Sequence, residues 1–191
     1  MYALLDGVGN LLTGTVDALF APSLAHFNAS RNAFDRLSKY KMWTHGTLKR
    51  IDASYNQIKI DAAALMSSLP INLNQLDFSH NSIVGRISSL KSIEGLQSLD
   101  LSFNSITGRL PKFAEAFSNL RQLDLSTNEL TGAIHAEALN FQFMSSLVLS
   151  HNHLSSIDDT VSFSPKLQNL DVSYNSIKAT IPKVLSTISG K

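Results

Sequence analysis

Apolar residues recur along this chain with two superposed periods. Within short stretches such as LQSLDL and LRQLDL they alternate with polar residues, and these stretches return every 22 to 25 residues. From the second stretch onward, an asparagine follows apolar residues at its minus-eight, minus-five and minus-three positions, and another apolar residue stands at plus two. The asparagines of the eight units are Asn10, Asn32, Asn56, Asn81, Asn104, Asn128, Asn152 and Asn175.

The two periods together predict a repeat fold. Alternation with a period of two is typical of a short strand that buries one face and exposes the other. Because the strands return at a nearly fixed interval, we predict that they stack side by side, about 4.8 Å apart, in a parallel sheet. The predicted fold is an α/β-type solenoid, a horseshoe or superhelix of about eight repeats with the sheet on its concave face. It is a single array over residues 1–191, with units ending near the eight asparagines.

The recurring asparagine is predicted to be structural. It lies where the chain leaves the strand and turns into the apolar interior, so backbone donors and acceptors there lose contact with water. The asparagine amide supplies both a donor and an acceptor. We therefore predict an internal ladder of these amides, in which the loss of one rung leaves buried groups unpaired at about 1–3 kcal/mol each.

Three units carry a specific family resemblance. LQSLDLSFNSITGRLP, LRQLDLSTNELTGAI and LQNLDVSYNSIKATIP resemble plant-type leucine-rich repeats, whose consensus is LxxLxxLxLSxNxLxGxIP. Similar arrays form the ectodomains of plant receptor-like kinases, receptor-like proteins and polygalacturonase inhibitors. The consensus glycine is matched by Gly14, Gly85, Gly108 and Gly132, and the consensus proline by Pro111 and Pro182.

The resemblance implies extracellular recognition. The chain departs from the family in lacking the cysteine pairs that usually flank such arrays, and the LxGxIP tail is weak in the units of Asn32, Asn56 and Asn152. These departures leave a secreted or cell-surface receptor as one candidate among several.

Composition removes other classes of function. The formal net charge of +1 lacks the basic footprint that nucleic acid or an anionic membrane demands. The absence of cysteine excludes disulfides and thiolate metal sites, and no run approaches the ~20 apolar residues of a spanning helix. We predict no nucleic-acid partner, no membrane insertion within the chain, no cofactor and no enzymatic activity.

A basic cluster interrupted by acids is interpreted as a solvated face, with an anionic partner as the alternative. The cluster comprises Arg31, Arg36, Lys39, Lys41, Lys49, Arg50 and Lys59.

Neither end of the array resembles a capping repeat, although a solenoid exposes its core unless its ends are covered. We therefore expect a segment of a longer protein, with missing capping repeats or end-to-end contact with neighbouring chains as the cover. The least regular insert, residues 35–47, contains Tyr40, Met42 and Trp43. These side chains are predicted to fill the core on the convex side, or alternatively to form an exposed aromatic knob for a second partner.

Residues at the minus-six, minus-four, minus-two and minus-one positions are predicted to face outward in columns. The minus-two column is serine and the minus-four column mostly aspartate, and because both are consensus residues we interpret them as scaffold. A row of carboxylates one strand apart repels itself, which protonation, cations or basic neighbours relieve. One carboxylate per strand falls short of the six to eight oxygens that calcium prefers, so no metal is predicted.

The minus-one column varies most and is rich in aromatic and imidazole groups. Such side chains give large contact area with little loss of rotamer entropy, so they are typical of binding hot spots. The polar minus-six column is predicted to supply a hydrogen-bonding rim. The alternative is that the rings only stack on one another along the sheet. The predicted partner-binding residues are Arg31, Arg50, Tyr55, Gln75, His80, Phe103, Gln122, His151 and Tyr174.

The leading hypothesis is a recognition module of a cell-surface or secreted protein that binds a protein or peptide on its concave face. An architectural element stacked through its ends and an intracellular adaptor are the alternatives. The sequon at Asn28 lies on a predicted strand, where a glycan would block the concave face, so we expect it to be unoccupied.

Overall fold

The computed structural model describes residues 3–16, 23–38, 46–88 and 90–178. Eight parallel strands form one large sheet, with one strand for each predicted unit. Neighbouring strands pair in register, so that minus-six, minus-five and minus-four residues of successive units lie side by side. The prediction of a parallel sheet of repeated strands is confirmed. In spatial order the strands are Ala3–Asp6, Leu24–Asn28, Arg50–Asp52, Gln75–Asp77, Ser98–Asp100, Gln122–Asp124, Ser146–Val148 and Asn169–Asp171.

Two smaller parallel sheets, which the sequence did not predict, follow the asparagines. One contains Val84–Arg86, Ser105–Gly108, Glu129–Ile134 and His153–Ile157, and the other contains Thr13–Val16 and Ala33–Leu37. The consensus glycine lies in these strands. At Gly108 φ is +86°, and an added Cβ would lie 2.8 Å from Cγ of Arg86. Both the left-handed backbone and the close packing therefore require glycine.

Among the described residues, three short helices lie on the connections, at Ala62–Ser68, Phe113–Ala116 and Ala136–Leu139. The carboxylate of Asp61 caps the first of them by accepting a hydrogen bond of 3.0 Å from the backbone N–H of Ala64. The aromatic insert with Tyr40, Met42 and Trp43, together with Lys39, Lys41 and Pro182, lies outside the described residues. No helix in the described ranges is long and apolar enough to cross a membrane.

The core is one continuous apolar cluster that passes through the units from Val16 to Val161. The leucines of the repeat carry it: in the unit of Asn104, Leu96, Leu99 and Leu101 are at most 1% exposed. Each unit contributes only a thin slice of core, so its stability depends on the units on both sides.

The asparagine amides bond from one unit to the next. Asn128 Nδ2 lies 3.0 Å from the carbonyl oxygen of Leu101 in the preceding unit and 3.2 Å from the carbonyl oxygens of Leu125 and Ser126 in its own unit. Asn128 Oδ1 accepts a hydrogen bond of 2.9 Å from the backbone N–H of Ile106.

This arrangement repeats at every unit from Asn32 to Asn175. Asn10 is exposed and donates to the carbonyl oxygens of Gly7 and Val8 in its own unit. The ladder thus fixes the spacing of the turns that carry the side chains described next.

Candidate functional site

The minus-one side chains owe their position to an unusual backbone. All seven have a positive φ, between 50° and 56°, in the left-handed region that non-glycine residues rarely occupy. From Arg31 to His151 the backbone N–H of each donates to the following unit: that of Tyr55, for example, donates to the carbonyl oxygen of Ser79 at 3.0 Å. The members of this minus-one column are Arg31, Tyr55, His80, Phe103, Thr127, His151 and Tyr174.

The minus-one rings stack face to face in two groups. In the first, the ring centroids of Tyr55 and His80, and of His80 and Phe103, are 4.0 Å apart, and the planes are within 12° of parallel. The guanidinium carbon of Arg31 lies 4.6 Å from the Tyr55 centroid and extends this stack by one layer. Stacking between the rings, which was one of the two predicted arrangements, is therefore present.

The second group consists of His151 and Tyr174, with centroids 4.2 Å apart. The stacked rings keep their edges in solvent: Tyr55 is 44% exposed, Phe103 46% and Tyr174 75%. Thr127 separates the two groups. The column is thus a ribbon of exposed aromatic edges with one interruption.

The minus-six residues form a second row, at the start of each strand of the large sheet. Arg50 pairs in register with Gln75, and Gln122 pairs with Ser98, whose hydroxyl donates to Gln122 Oε1 at 3.3 Å. Arg50, Gln75 and Gln122 are exposed. The structure therefore gathers the nine predicted contact residues into two rows, one at the start of the strands and one beyond their ends.

The outward orientation predicted for the minus-two serines is wrong for all of them except Ser173, which is exposed. Ser30, Ser54, Ser79, Ser102, Ser126 and Ser150 are buried. The reason is that the strand ends at minus four, so strict alternation stops there. In the unit of Asn128, Asp124 Oδ1 accepts hydrogen bonds from both the backbone N–H and the hydroxyl of Ser126, at 2.8 and 2.6 Å.

This Asp–Ser pairing makes the minus-four column part of the turn. It recurs with Asn28 in place of aspartate, whose Oδ1 lies 2.8 Å from the Ser30 hydroxyl oxygen. Asn28 ends the strand Leu24–Asn28, which is where the sequence placed the sequon. A neutral side chain is therefore compatible with the pairing.

The carboxylates of the minus-four column differ in their pKa values. The pKa of Asp100 is raised to about 6, chiefly by burial and also by the neighbouring charges of Asp77 and Asp124, while hydrogen bonds from Ser102 oppose the rise. The pKa of Asp77 is also raised, chiefly by burial. At the edge of the row, hydrogen bonds from Ser173 lower the pKa of Asp171. Protonation of Asp100 therefore relieves the predicted self-repulsion only below about pH 6, and at neutral pH the repulsion remains.

We expect Asp100→Asn to stabilise the protein at about pH 7. A carboxyl whose pKa rises from 3.8 to about 6 on folding binds its proton more tightly in the folded state. Its ionisation therefore removes stability as pH rises from the unfolded to the folded pKa, by up to about 3 kcal/mol. Asparagine keeps the acceptor for Ser102, as Asn28 does for Ser30. Urea unfolding should show a gain at about pH 7 that disappears near pH ~4.

Asp171→Asn is the matched control with the opposite sign. Because the pKa of Asp171 is lowered on folding, its carboxylate contributes stability above the unfolded pKa that is lost as pH falls through the folded pKa. The variant should be less stable than the wild type at neutral pH. A loss of stability for Asp100→Asn at neutral pH would contradict the assignment of a strained charge.

Family models match two parts of the chain. A model described as leucine-rich repeats in two copies matches residues 94–135, and one described as a leucine-rich repeat matches residues 166–188. No curated protein sequence matches the chain. Repeated strands, an asparagine ladder and glycine-containing second strands define a leucine-rich-repeat solenoid.

Solved structures extend the likeness over nearly the whole chain. The PEPR1–AtPEP1 complex matches 97% of this chain at 25% identity, with a TM-score of 0.83. The ectodomain of the plant membrane receptor kinase GASSHO1/SCHENGEN3 from Arabidopsis thaliana, in complex with CASPARIAN STRIP INTEGRITY FACTOR 2, also matches 97% at 25% identity, with a TM-score of 0.71. A plant ice-binding protein matches 93% at 27% identity, with a TM-score of 0.73.

The matched repeats and the fold make the chain similar to plant leucine-rich-repeat proteins such as the ectodomain of GASSHO1/SCHENGEN3. It spans 26% of the matched chain in each of the two complexes and 58% of the ice-binding protein.

Two exceptions to the repeat, Thr127 and Val148, were not among the predicted contact residues. Thr127 was visible as a member of the minus-one column but was passed over because it is neither aromatic nor charged. Val148 was visible as the apolar exception in the acid column. The pairing of Asp124 with Val148 shows that both exceptions occur on neighbouring strands.

Proposed function

We propose that the chain is a non-catalytic recognition module that binds a protein or peptide through its minus-one and minus-six columns. The observation that carries the proposal is the exposed ring ribbon. Large aromatic edges in water contribute little to folding, but they bury substantial area when a partner covers them. The polar minus-six row supplies hydrogen-bond donors and acceptors that fix the partner's orientation.

The fold by itself does not select this function, because a plant ice-binding protein shares it. Two further points support recognition. Variation between units is concentrated at the minus-one position, while the asparagine, serine and core leucine positions are repeated. In addition, structures of a receptor ectodomain with a bound factor match this chain over nearly its whole length.

We further propose that the chain is part of a longer receptor-like protein at the cell surface or secreted from the cell. The support is its likeness to a membrane receptor-kinase ectodomain of which it spans about a quarter. In such a protein residues 1–191 would form a single array of repeats within a longer solenoid.

The double variant Phe103→Ala with Tyr174→Ala tests the site. Peptides enriched by the wild-type chain from a phage-displayed random library serve as probes, and calorimetry gives their affinity for both proteins. We expect the double variant to weaken binding by at least about tenfold, because hot-spot aromatics contribute about 2 kcal/mol or more each. Its melting temperature should stay nearly unchanged, since the two side chains are 46% and 75% exposed.

Ile71→Ala is the matched control, because Ile71 is 59% exposed but lies outside both columns. It should leave affinity and stability unchanged. If the enriched peptides bind the double variant as tightly as the wild type, the two columns are not the binding site.

A further inference from the structure

Thr127 is out of place in the minus-one column for two reasons. It has no atoms beyond its γ positions, whereas its neighbours Phe103 and His151 carry rings. It is also the one β-branched residue among the seven left-handed positions, with φ at 53°. A β-branched side chain crowds the backbone in this conformation more than the other residues do, so threonine is an outlier here.

The backbone around Thr127 is nonetheless regular. Its N–H donates to the carbonyl oxygen of Ser150 at 2.9 Å, and its carbonyl oxygen accepts from the N–H of Asn104 at 3.2 Å. These are the same bonds that hold the ring-bearing positions. The interruption is therefore a missing ring within a column whose backbone is intact. The backbone geometry is the same as at the ring-bearing positions, so it does not call for a β-branched residue, and threonine adds conformational strain there. Strained residues of this kind concentrate at functional sites.

The missing ring leaves a gap of defined width. With strands about 4.8 Å apart, the rings of Phe103 and His151, two strands from each other, are separated by about 8–10 Å. A flat group inserted above Thr127 would lie about 4–5 Å from each ring. The chain's own rings stack at 4.0 and 4.2 Å, so the gap has room for one aromatic layer. Each wall is backed by a further ring, His80 behind Phe103 and Tyr174 behind His151.

The unit next to Thr127 also departs from the repeat. There the acid column is interrupted by Val148, which pairs in register with Asp124 on one side and with Asp171 on the other. Val148 is half-buried. The ring column and the acid column thus lose their usual side chains in neighbouring units, the first at Thr127 and the second at Val148.

We propose that the gap between Phe103 and His151 is a slot for one aromatic side chain of the bound peptide or protein. This proposal rests on the proposed recognition function and names the partner's anchoring group. The inserted ring would complete a continuous stack from Arg31 to Tyr174. Thr127 keeps the slot open, and the backbone strain that it adds is the cost of doing so.

The test uses the whole chain and two capped tripeptides, acetyl-Gly-Trp-Gly-amide and acetyl-Gly-Leu-Gly-amide. Binding of each peptide is followed by NMR through the ring-proton resonances of His151. The tryptophan peptide should shift these resonances saturably through its ring current, and the leucine peptide should not. Thr127→Tyr fills the slot, so we expect it to bind the tryptophan peptide at least tenfold more weakly than the wild type does. Its melting temperature should rise, because the new ring stacks between Phe103 and His151 and the β-branched residue is removed. Thr127→Ser keeps the slot open and should bind as the wild type does.

Three results would overturn the slot: no saturable shift with the tryptophan peptide, equal shifts with the leucine peptide, or undiminished binding to Thr127→Tyr. A failed slot is distinguishable from a failed function. If library-derived peptides still depend on Phe103 and Tyr174 while the tryptophan peptide does not bind, recognition stands without the slot.

Discussion

Asn128→Ala is expected to lower the free energy of unfolding by about 2–4 kcal/mol. The amide of Asn128 is 6% exposed. Its removal takes away the hydrogen-bond acceptor of the Ile106 N–H and one donor to the carbonyl oxygen of Leu101. The carbonyl oxygen keeps its bond from Asn104, but the N–H is left without this partner in an apolar interior. The variant should also leave a small cavity.

Urea unfolding measures the total loss, and native-state hydrogen exchange measures where it occurs. Because each unit contacts mainly its neighbours, the exchange of the Ile106 amide should accelerate more than that of amides in distant units. The matched control is Asn10→Ala, at the exposed first asparagine, whose amide donates within its own unit; this variant should cost less than about 1 kcal/mol. Equal costs at both positions would show that the ladder does not stabilise the fold by satisfying buried groups.

Phe78→Ala should cost about 3–5 kcal/mol, the range for removing a buried phenylalanine. Phe78 is 0% exposed and stands in the minus-three column, where other units place the leucines Leu101, Leu125 and Leu149. Its truncation removes apolar contacts inside a core that neighbouring units cannot easily collapse to refill. Circular dichroism during urea unfolding gives the loss directly.

Two controls separate packing from aromatic character. Phe78→Leu restores the residue of the neighbouring units and should cost less than about 1.5 kcal/mol if the site repacks. Phe103→Ala removes the same side chain from a position that is 46% exposed and should cost less than about 1 kcal/mol. If Phe103→Ala were as destabilising as Phe78→Ala, the ring ribbon would be a structural element and its role in recognition would lose its main support.

The scaffold was predictable from sequence because its information is repeated. The strand Ser98–Asp100 and the asparagine after it follow from leucine spacing that recurs in every unit, so one weak signal is confirmed by its neighbours. The family resemblance needed only those recurring positions. The second strands escaped prediction because segments such as Ser105–Gly108 show no apolar alternation.

The chemistry of the site depended on geometry that the residue pattern does not carry. The minus-two serines were expected in solvent because alternation was extended past the end of the strand, and the Asp–Ser hydrogen bonds bury them instead. The raised pKa of Asp100 comes from its burial between like charges, which spacing alone does not show. Stacking of the rings was one of two predicted arrangements. The gap at Thr127 could not be recognised from the sequence, because its width depends on where the rings of Phe103 and His151 lie.

We propose that the repeated positions build the scaffold while the minus-one and minus-six columns bind the partner. Chemical-shift mapping of the wild-type chain with a library-derived peptide locates the binding surface. The largest perturbations should lie on Tyr55, His80, Phe103, His151 and Tyr174 and on the minus-six residues beside them. Perturbations concentrated on the helices Ala62–Ser68 and Phe113–Ala116, with the ring ribbon unaffected, would contradict it.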